Sequence, residues 1–124
     1  MPLHVVEKDI DGFTLLDLRG RITLGPDTET VRNKVKNVIE AGHTRVILDL
    51  GGVTYIDSAG LSTLVACYIS ARKVGGQVKL LNLTKIVRDL LQITRLSTVF
   101  EIYDNLEAAQ RSFESQSPQV TQAE

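Results

Sequence analysis

The segment RVILDLGGVTYIDSAGLSTLV, residues 45–65, decides how the chain is read. Its first six residues, RVILDL, form a nearly continuous branched apolar run, of the kind that suits a strand covered on both faces in a parallel sheet. Asp57-Ser58-Ala59-Gly60 interrupts the apolar character, and Leu61, Leu64, Val65, Tyr68 and Ile69 then recur at helical spacing. A strand, a tight polar turn and a helix make the front half of a βα unit and predict an α/β domain. Asp57 or Ser58 can cap the helix, because a short side-chain oxygen accepts from an unpaired N–H of the first turn. A cap accounts for one of these two polar residues. It leaves the other unexplained.

Outward from this unit the punctuation is regular. Asp11-Gly12 offers a tight turn and makes residues 3–19 an antiparallel hairpin. Val31, Val35, Val38 and Ile39 place a helix over roughly residues 27–41, with Gly42 as its stop. Gly75-Gly76 ends the helix that follows the polar turn, and QVKLLNL (77–83) is the next strand. Thr84 can cap a short helix carrying Ile86, Val87, Leu90 and Leu91, and VFEIY (99–103) is a last strand. Asp104-Asn105-Leu106-Glu107 has the form of a capping box, in which the Asp starts a final helix with Leu106, Ala109 and Phe113 on its inner face. The order β-β-α-β-α-β-α-β-α predicts one domain over residues 3–113, a mixed sheet of four or five strands with about four helices mostly on one face. From residue 114 the chain, ESQSPQVTQAE, has almost nothing apolar to bury and is expected to be a disordered tail.

Composition narrows the functions. The chain has 124 residues, 43% of them hydrophobic, and a net charge of −1, which gives no electrostatic case for nucleic acid. Its densest basic stretch, Arg32 to Lys36, alternates with an apolar helix face. One cysteine, Cys67, excludes an internal disulfide and a cysteine-built metal site. On the face shared with Gly60, Leu64 and Ala71 it reads as a small buried hydrophobe. His4 and His43 lie far apart in sequence, so neither is expected to bind metal or catalyse. No leader pattern and no membrane-length apolar run is present, so the expected location is the cytoplasm. Tyr55 could face a partner or the core.

Three chemistries compete for the polar turn. A nucleophilic serine on a G-x-S-x-G elbow fails, because Ile56 stands where the first Gly belongs and no histidine falls near the strand end. A phosphoaspartate at Asp57 would need an acidic pair leading into a helix and a lysine after the last strand. Asp9 and Asp11 lead instead into a hairpin, and Tyr103-Asp104-Asn105 carries no lysine. A phosphorylatable Ser58 fits. A helix N-terminus tolerates an added anion locally, whereas a partner that had buried a neutral serine would meet a desolvated dianion beside Asp57.

With these residues in view, VILDLGGVTYIDSAGLSTLV, ISARKVGGQVKLLNL and VRDLLQITRLSTVFEIYDNLEAAQ together resemble the STAS domain of anti-sigma factor antagonists. The likeness covers roughly residues 3–113, and Asp57-Ser58-Ala59-Gly60-Leu61 is its most specific element. The resemblance implies a non-enzymatic partner switch without a cofactor. In that scheme the unphosphorylated protein binds an anti-sigma factor that is also a serine kinase, and a sigma factor is released. The kinase phosphorylates the serine after the motif aspartate, here Ser58, and a PP2C-type phosphatase reverses the step. Asp57, Ser58, Ala59, Gly60, Ser62 and Thr63 would form the interaction surface. Thr23 stands where the family often has an acidic residue, and Ala59 where a second hydroxyl is common. STAS domains also serve as scaffolds in stress-signalling assemblies and as accessory subunits of ABC-type lipid transporters, which is the alternative expectation.

Overall fold

A computed structural model of the chain describes residues 3–122, with side chains through Glu114. Strand β1 (His4–Ile10) and strand β2 (Phe13–Ile22) form the expected antiparallel hairpin, closed between Ile10 and Phe13 by Asp11-Gly12. Gly12 takes φ +93°, a value that side-chain-bearing residues rarely adopt. Helix α1 (Pro26–Glu40), strand β3 (Arg45–Ile56), helix α2 (Ser58–Lys73), strand β4 (Gln77–Leu81), helix α3 (Lys85–Ile93), strand β5 (Ile102–Tyr103) and helix α4 (Leu106–Gln122) follow. The sheet order is β1-β2-β3-β4-β5, and every pairing after the hairpin is parallel. Successive right-handed crossovers that advance in one direction keep their helices on one side of the sheet. Accordingly Val31, Val35 and Val38 of α1, Leu61, Leu64, Cys67 and Ala71 of α2, and Val87 and Leu91 of α3 share one core with Leu16, Leu18, Leu48, Leu50 and Leu80. Helix α4 turns back over the opposite face, where Ala109 and Phe113 meet Phe13, Leu15, Ile47 and Leu81.

That arrangement explains why RVILDL reads as a nearly continuous apolar run: both faces of β3 are covered. It also explains a difference from expectation. The strand does not end at Leu50 but continues through Gly51-Gly52 to Ile56. These glycines mark close approach rather than a break, since a Cβ on Gly52 would lie 2.7 Å from Cγ of Arg19 on β2. The register of β2 against β3 slips twice here, between Asp17 and Arg19 and between Gly20 and Arg21. Both slips place an extra residue on β3, and such bulges bend a strand and increase its local twist, here on the approach to the polar turn.

Three expectations near the C-terminal half are corrected. The last strand is Ile102–Tyr103 rather than 99–103, because Leu96–Thr98 form a 3₁₀ turn that delivers Phe100 into the core. There the Phe100 ring meets Tyr68 edge-on at 5.4 Å. Thr84 stands at the start of α3, but its hydroxyl caps nothing and finds no hydrogen-bond partner among the described residues. The cap of α4 is Asn105, whose Oδ1 accepts from the Ala108 N–H at 2.8 Å. Asp104 is displaced from that role and reaches Arg88 at 3.4 Å instead. The tail expected to be disordered from residue 114 falls, beyond Glu114, outside the residues whose side chains are described.

One buried cation was not foreseen. Lys79 of β4 is 1% exposed, and its Nζ donates to Glu101 Oε1 at 2.9 Å and to Ser112 Oγ at 2.7 Å. The ammonium also lies 4.4 Å from the centroid of the Phe113 ring. A buried charge is tolerated only when paired and hydrogen-bonded, and here its partners come from α4 and the segment before β5.

Candidate functional site

Asp57-Ser58-Ala59-Gly60 lies where β3 ends and α2 begins, at the carboxyl ends of the parallel strands. In open α/β sheets ligand sites collect at this pole. The structure decides which residue caps: Asp57 has extended backbone, and its Oδ1 accepts from the Gly60 N–H at 2.8 Å. Its other oxygen, Oδ2, accepts from the Leu24 N–H at 3.0 Å, 33 residues away in sequence. One carboxylate therefore holds the first turn of α2 and the loop between β2 and α1 together. Those hydrogen bonds, led by the one from Gly60 and then the one from Leu24, favour the ionised form and hold the Asp57 carboxyl below its ordinary value.

The remaining residue of the pair is then free for other work. Ser58 is the first residue of α2 and is exposed, and its hydroxyl is held by no group among the described residues. Ala59 is half-buried and Ser62, one turn on, is exposed. Gly60 is buried because the helix start presses on the end of β2, where a Cβ would fall 2.3 Å from the Ile22 carbonyl oxygen. Thr63 corrects the expectation of an exposed first turn. It is 1% exposed, donates to the Ala59 carbonyl at 2.9 Å and accepts from Arg32 at 3.4 Å. At the fifth position after Ser58 it has rotated inward toward α1. Of the six surface residues expected, Asp57, Ser58, Ala59 and Ser62 line the outside, and Gly60 and Thr63 support them from within.

Sequence reasoning missed one neighbour, Leu24, and left the direction of another, Tyr55, open. Leu24 is 77% exposed beside the turn, and only its position in a loop, before Gly25-Pro26, could have signalled that it faces water. Tyr55 is 39% exposed and lies under the Arg21 guanidinium at 4.8 Å, which settles its orientation as outward. A carboxylate from the first turn of α1 nonetheless reaches the loop at Thr23. Asp27 Oδ2 accepts from both the Thr23 N–H at 3.2 Å and the Thr23 hydroxyl at 3.0 Å. Cys67 is buried as expected, and burial pushes its thiol up to about 11, which keeps it a packing group. Among the described residues no His, Cys, Asp and Glu side chains assemble into a group of three that could hold a metal ion, and no helix is long and apolar enough to cross a membrane.

The double hold of Asp57 sets a pH signature. Its pKa is lowered in the folded state, so its contribution to stability is fully present above the unfolded value of 3.8 and is lost as pH falls through the folded value. Asp57→Ala should lower the melting temperature by about 4 °C near neutral pH. The gap to wild type should narrow below pH 3.8, and amide exchange at Leu24 and Gly60 should quicken together. Exchange quickening at Gly60 alone would show that the Leu24 tie is not made in solution.

The STAS-domain family profile matches residues 4–109. A Bordetella bronchiseptica protein that bears the name anti-sigma factor antagonist BtrV is 30% identical over 109 residues, 88% of this chain and 93% of that protein. Among solved structures, an anti-sigma factor antagonist from Mycobacterium paratuberculosis aligns with TM-score 0.78 at 21% identity, covering 89% of this chain and 92% of that one. The phosphorylated form of the Bacillus cell fate determinant SpoIIAA aligns with TM-score 0.67 at 22% identity, covering 89% and 98%. At these identities the structures speak for the fold. The family match speaks for the chain: with its hairpin-led five-stranded sheet, three helices on one face and the Asp-Ser-x-Gly turn at the carboxyl pole, it belongs to the STAS-domain family.

Proposed function

We propose that the protein is an anti-sigma factor antagonist that acts by partner switching. Its α2 turn binds an anti-sigma factor with serine-kinase activity and so frees a sigma factor to support transcription. The kinase transfers the γ-phosphoryl group of ATP to Ser58 Oγ, ADP leaves, and the hydroxyl proton passes to a base on the kinase. The phosphate ends the complex until a PP2C-type phosphatase hydrolyses it. The carrying observation is the exposed, unheld Ser58 hydroxyl next to a carboxylate already committed to two backbone N–H groups.

The physical logic follows from that pair. A phosphate adds a charge of about −1.5 to −2 at the positive end of a helix dipole, which the free domain accommodates in water. In a complex that has excluded water, the same charge is desolvated and repelled by Asp57. A modification tolerated in one state and rejected in the other shifts the equilibrium between them. The name of the Bordetella relative and the existence of a phosphorylated SpoIIAA structure agree with this reading. The domain serves as ligand and phosphoacceptor rather than catalyst. His43 sits before β3, at the opposite pole from Ser58, and His4 lies on the edge strand, so neither stands as a base for the serine.

The test is recovery of partners from the native extract on wild-type and Ser58→Ala baits, followed by ATP. The expected result is an anti-sigma factor of the serine-kinase class on both baits. ATP should release it from wild type with phosphate on Ser58, and should leave it on Ser58→Ala. Recovery of transporter ATPase or stress-complex subunits, with no phosphate at Ser58, would sink the switch and favour a scaffold role.

A further inference from the structure

The outer side of the α1–α2 layer carries a groove that the Ser58 turn does not use. It runs along residues 32–40 of α1 and 66–74 of α2. Val35, Ile39, Ala66 and Cys67 form its floor, and Val74 stands at one end. Val35 and Cys67 are 2% and 3% exposed, but Val74 keeps 59% of its surface in water. Between Asp57 and Arg72, helix α2 has no charged residue at all. A surface helix normally turns charge toward solvent. This one turns short and apolar side chains outward.

The charges stand on the rim. Arg32 and Lys36, one turn apart on α1, are both exposed and line the groove, and Lys73, exposed two helical turns beyond Ala66 on α2, lies just outside its lining. Among the described residues none of these three cations makes an ion pair, and Glu40 is the one acid lining the groove. An apolar floor with an unpaired cationic rim is complementary to an amphipathic helix with acidic flanks. At 1.5 Å per residue the lined stretch is about 12 Å long, enough for roughly two turns of a docked helix. A second copy of this chain makes a poor occupant. Its other exposed apolar stripe, Ile86 and Ile93 of α3, is flanked by Lys85 and Arg88, whose charges are already matched by Asp89 and Asp104, and by Arg95, so it brings no unmatched acid to the rim.

We propose that the α1–α2 groove docks an acidic amphipathic helix of a partner protein. The apolar stripe of that helix rests on Val35, Ile39, Ala66 and Val74, and its carboxylates face Arg32, Lys36 and Lys73. Arg32 also donates to Thr63 behind the Ser58 turn at 3.4 Å, whereas Lys36 does not line the cleft beside that turn.

The test uses a fluorescein-labelled synthetic helix with Leu at i, i+3, i+4 and i+7 and Glu on its flanks, and a twin with Lys in place of Glu. Fluorescence anisotropy against the full chain should show the acidic peptide binding about 10-fold or more tighter than its twin. Amide shifts in NMR spectra should map to residues 32–40 and 66–74. Arg32→Glu with Lys36→Glu should weaken the acidic peptide about 10-fold, and Ala66→Arg should abolish binding by filling the groove. Ser58→Asp should change it by less than about 2-fold, which separates this site from the phosphorylation switch. Melting curves confirm that each variant is folded. Equal binding of the two peptides, shifts away from the groove, or indifference to Ala66→Arg would overturn the proposal. So would a self-association that Ala66→Arg breaks, since the occupant would then be a second copy.

Discussion

A Ser58→Asp protein should lose its anti-sigma partner by about 100-fold or more while its melting temperature stays within about 2 °C of wild type. The two halves of this result have different causes. In the free domain Ser58 is exposed at the first position of α2, where an acidic side chain is favoured by the helix dipole. Repulsion from Asp57 offsets that gain, and water screens both effects. In the complex proposed above, Ser58 is buried and water is excluded. An unpaired buried charge costs about 3–5 kcal/mol, and a 100-fold loss needs only about 2.7 kcal/mol. Ser58→Asn is the matching control, because it has nearly the same size and no charge. Titration calorimetry with the purified anti-sigma factor should find Ser58→Asn within about 10-fold of wild type. If Ser58→Asp binds like Ser58→Asn, charge at residue 58 is not the signal and the switch is wrong.

Much of this site was legible because its local chemistry and the fold agree. The run RVILDL announced a doubly covered strand, and it lies between α1–α3 on one side and α4 on the other. Asp57-Ser58 announced a cap plus a spare hydroxyl, and the structure assigns those roles to Asp57 and Ser58 respectively. What was not legible depends on contacts between distant segments. Gly51-Gly52 looks like a strand end until Arg19 is seen lying across Gly52. Thr63 looks exposed until Arg32 arrives from α1. Lys79, written as a polar position in a short strand, becomes the buried centre of the α4 contact because Glu101 and Ser112 come to it from more than 20 residues away. Asn105 outcompetes Asp104 as a cap by a shift of one residue, the scale at which helix boundaries are least determined by pattern.

The same distinction makes Gly60→Ala the most informative change to the fold. By helix propensity alone Ala is better than Gly, by up to about 1 kcal/mol in a helix interior, so a sequence-only reading predicts stabilisation. The packing predicts the reverse. A Cβ at residue 60 would lie 2.3 Å from the Ile22 carbonyl oxygen, 2.7 Å from Ile56 Cγ1 and 3.0 Å from Ile22 Cγ2. The nearest of these is backbone and cannot rotate away, and the same carbonyl already accepts from the Asp57 N–H at 3.3 Å. The start of α2 must therefore lift from β2, which strains that hydrogen bond and the Asp57–Leu24 tie with it. We expect a loss of about 3 kcal/mol or more and a drop of roughly 10 °C in melting temperature, at the upper end for overpacking. Ser62→Ala, one turn along on the exposed face, should leave stability within about 0.5 kcal/mol of wild type. Below its melting transition the Gly60→Ala protein should also bind the anti-sigma factor weakly, because lifting the helix start moves Ser58 and loosens Leu24. A stabilised Gly60→Ala protein would mean that α2 does not rest on Ile22, and the rigid presentation of Ser58 would lose its physical basis.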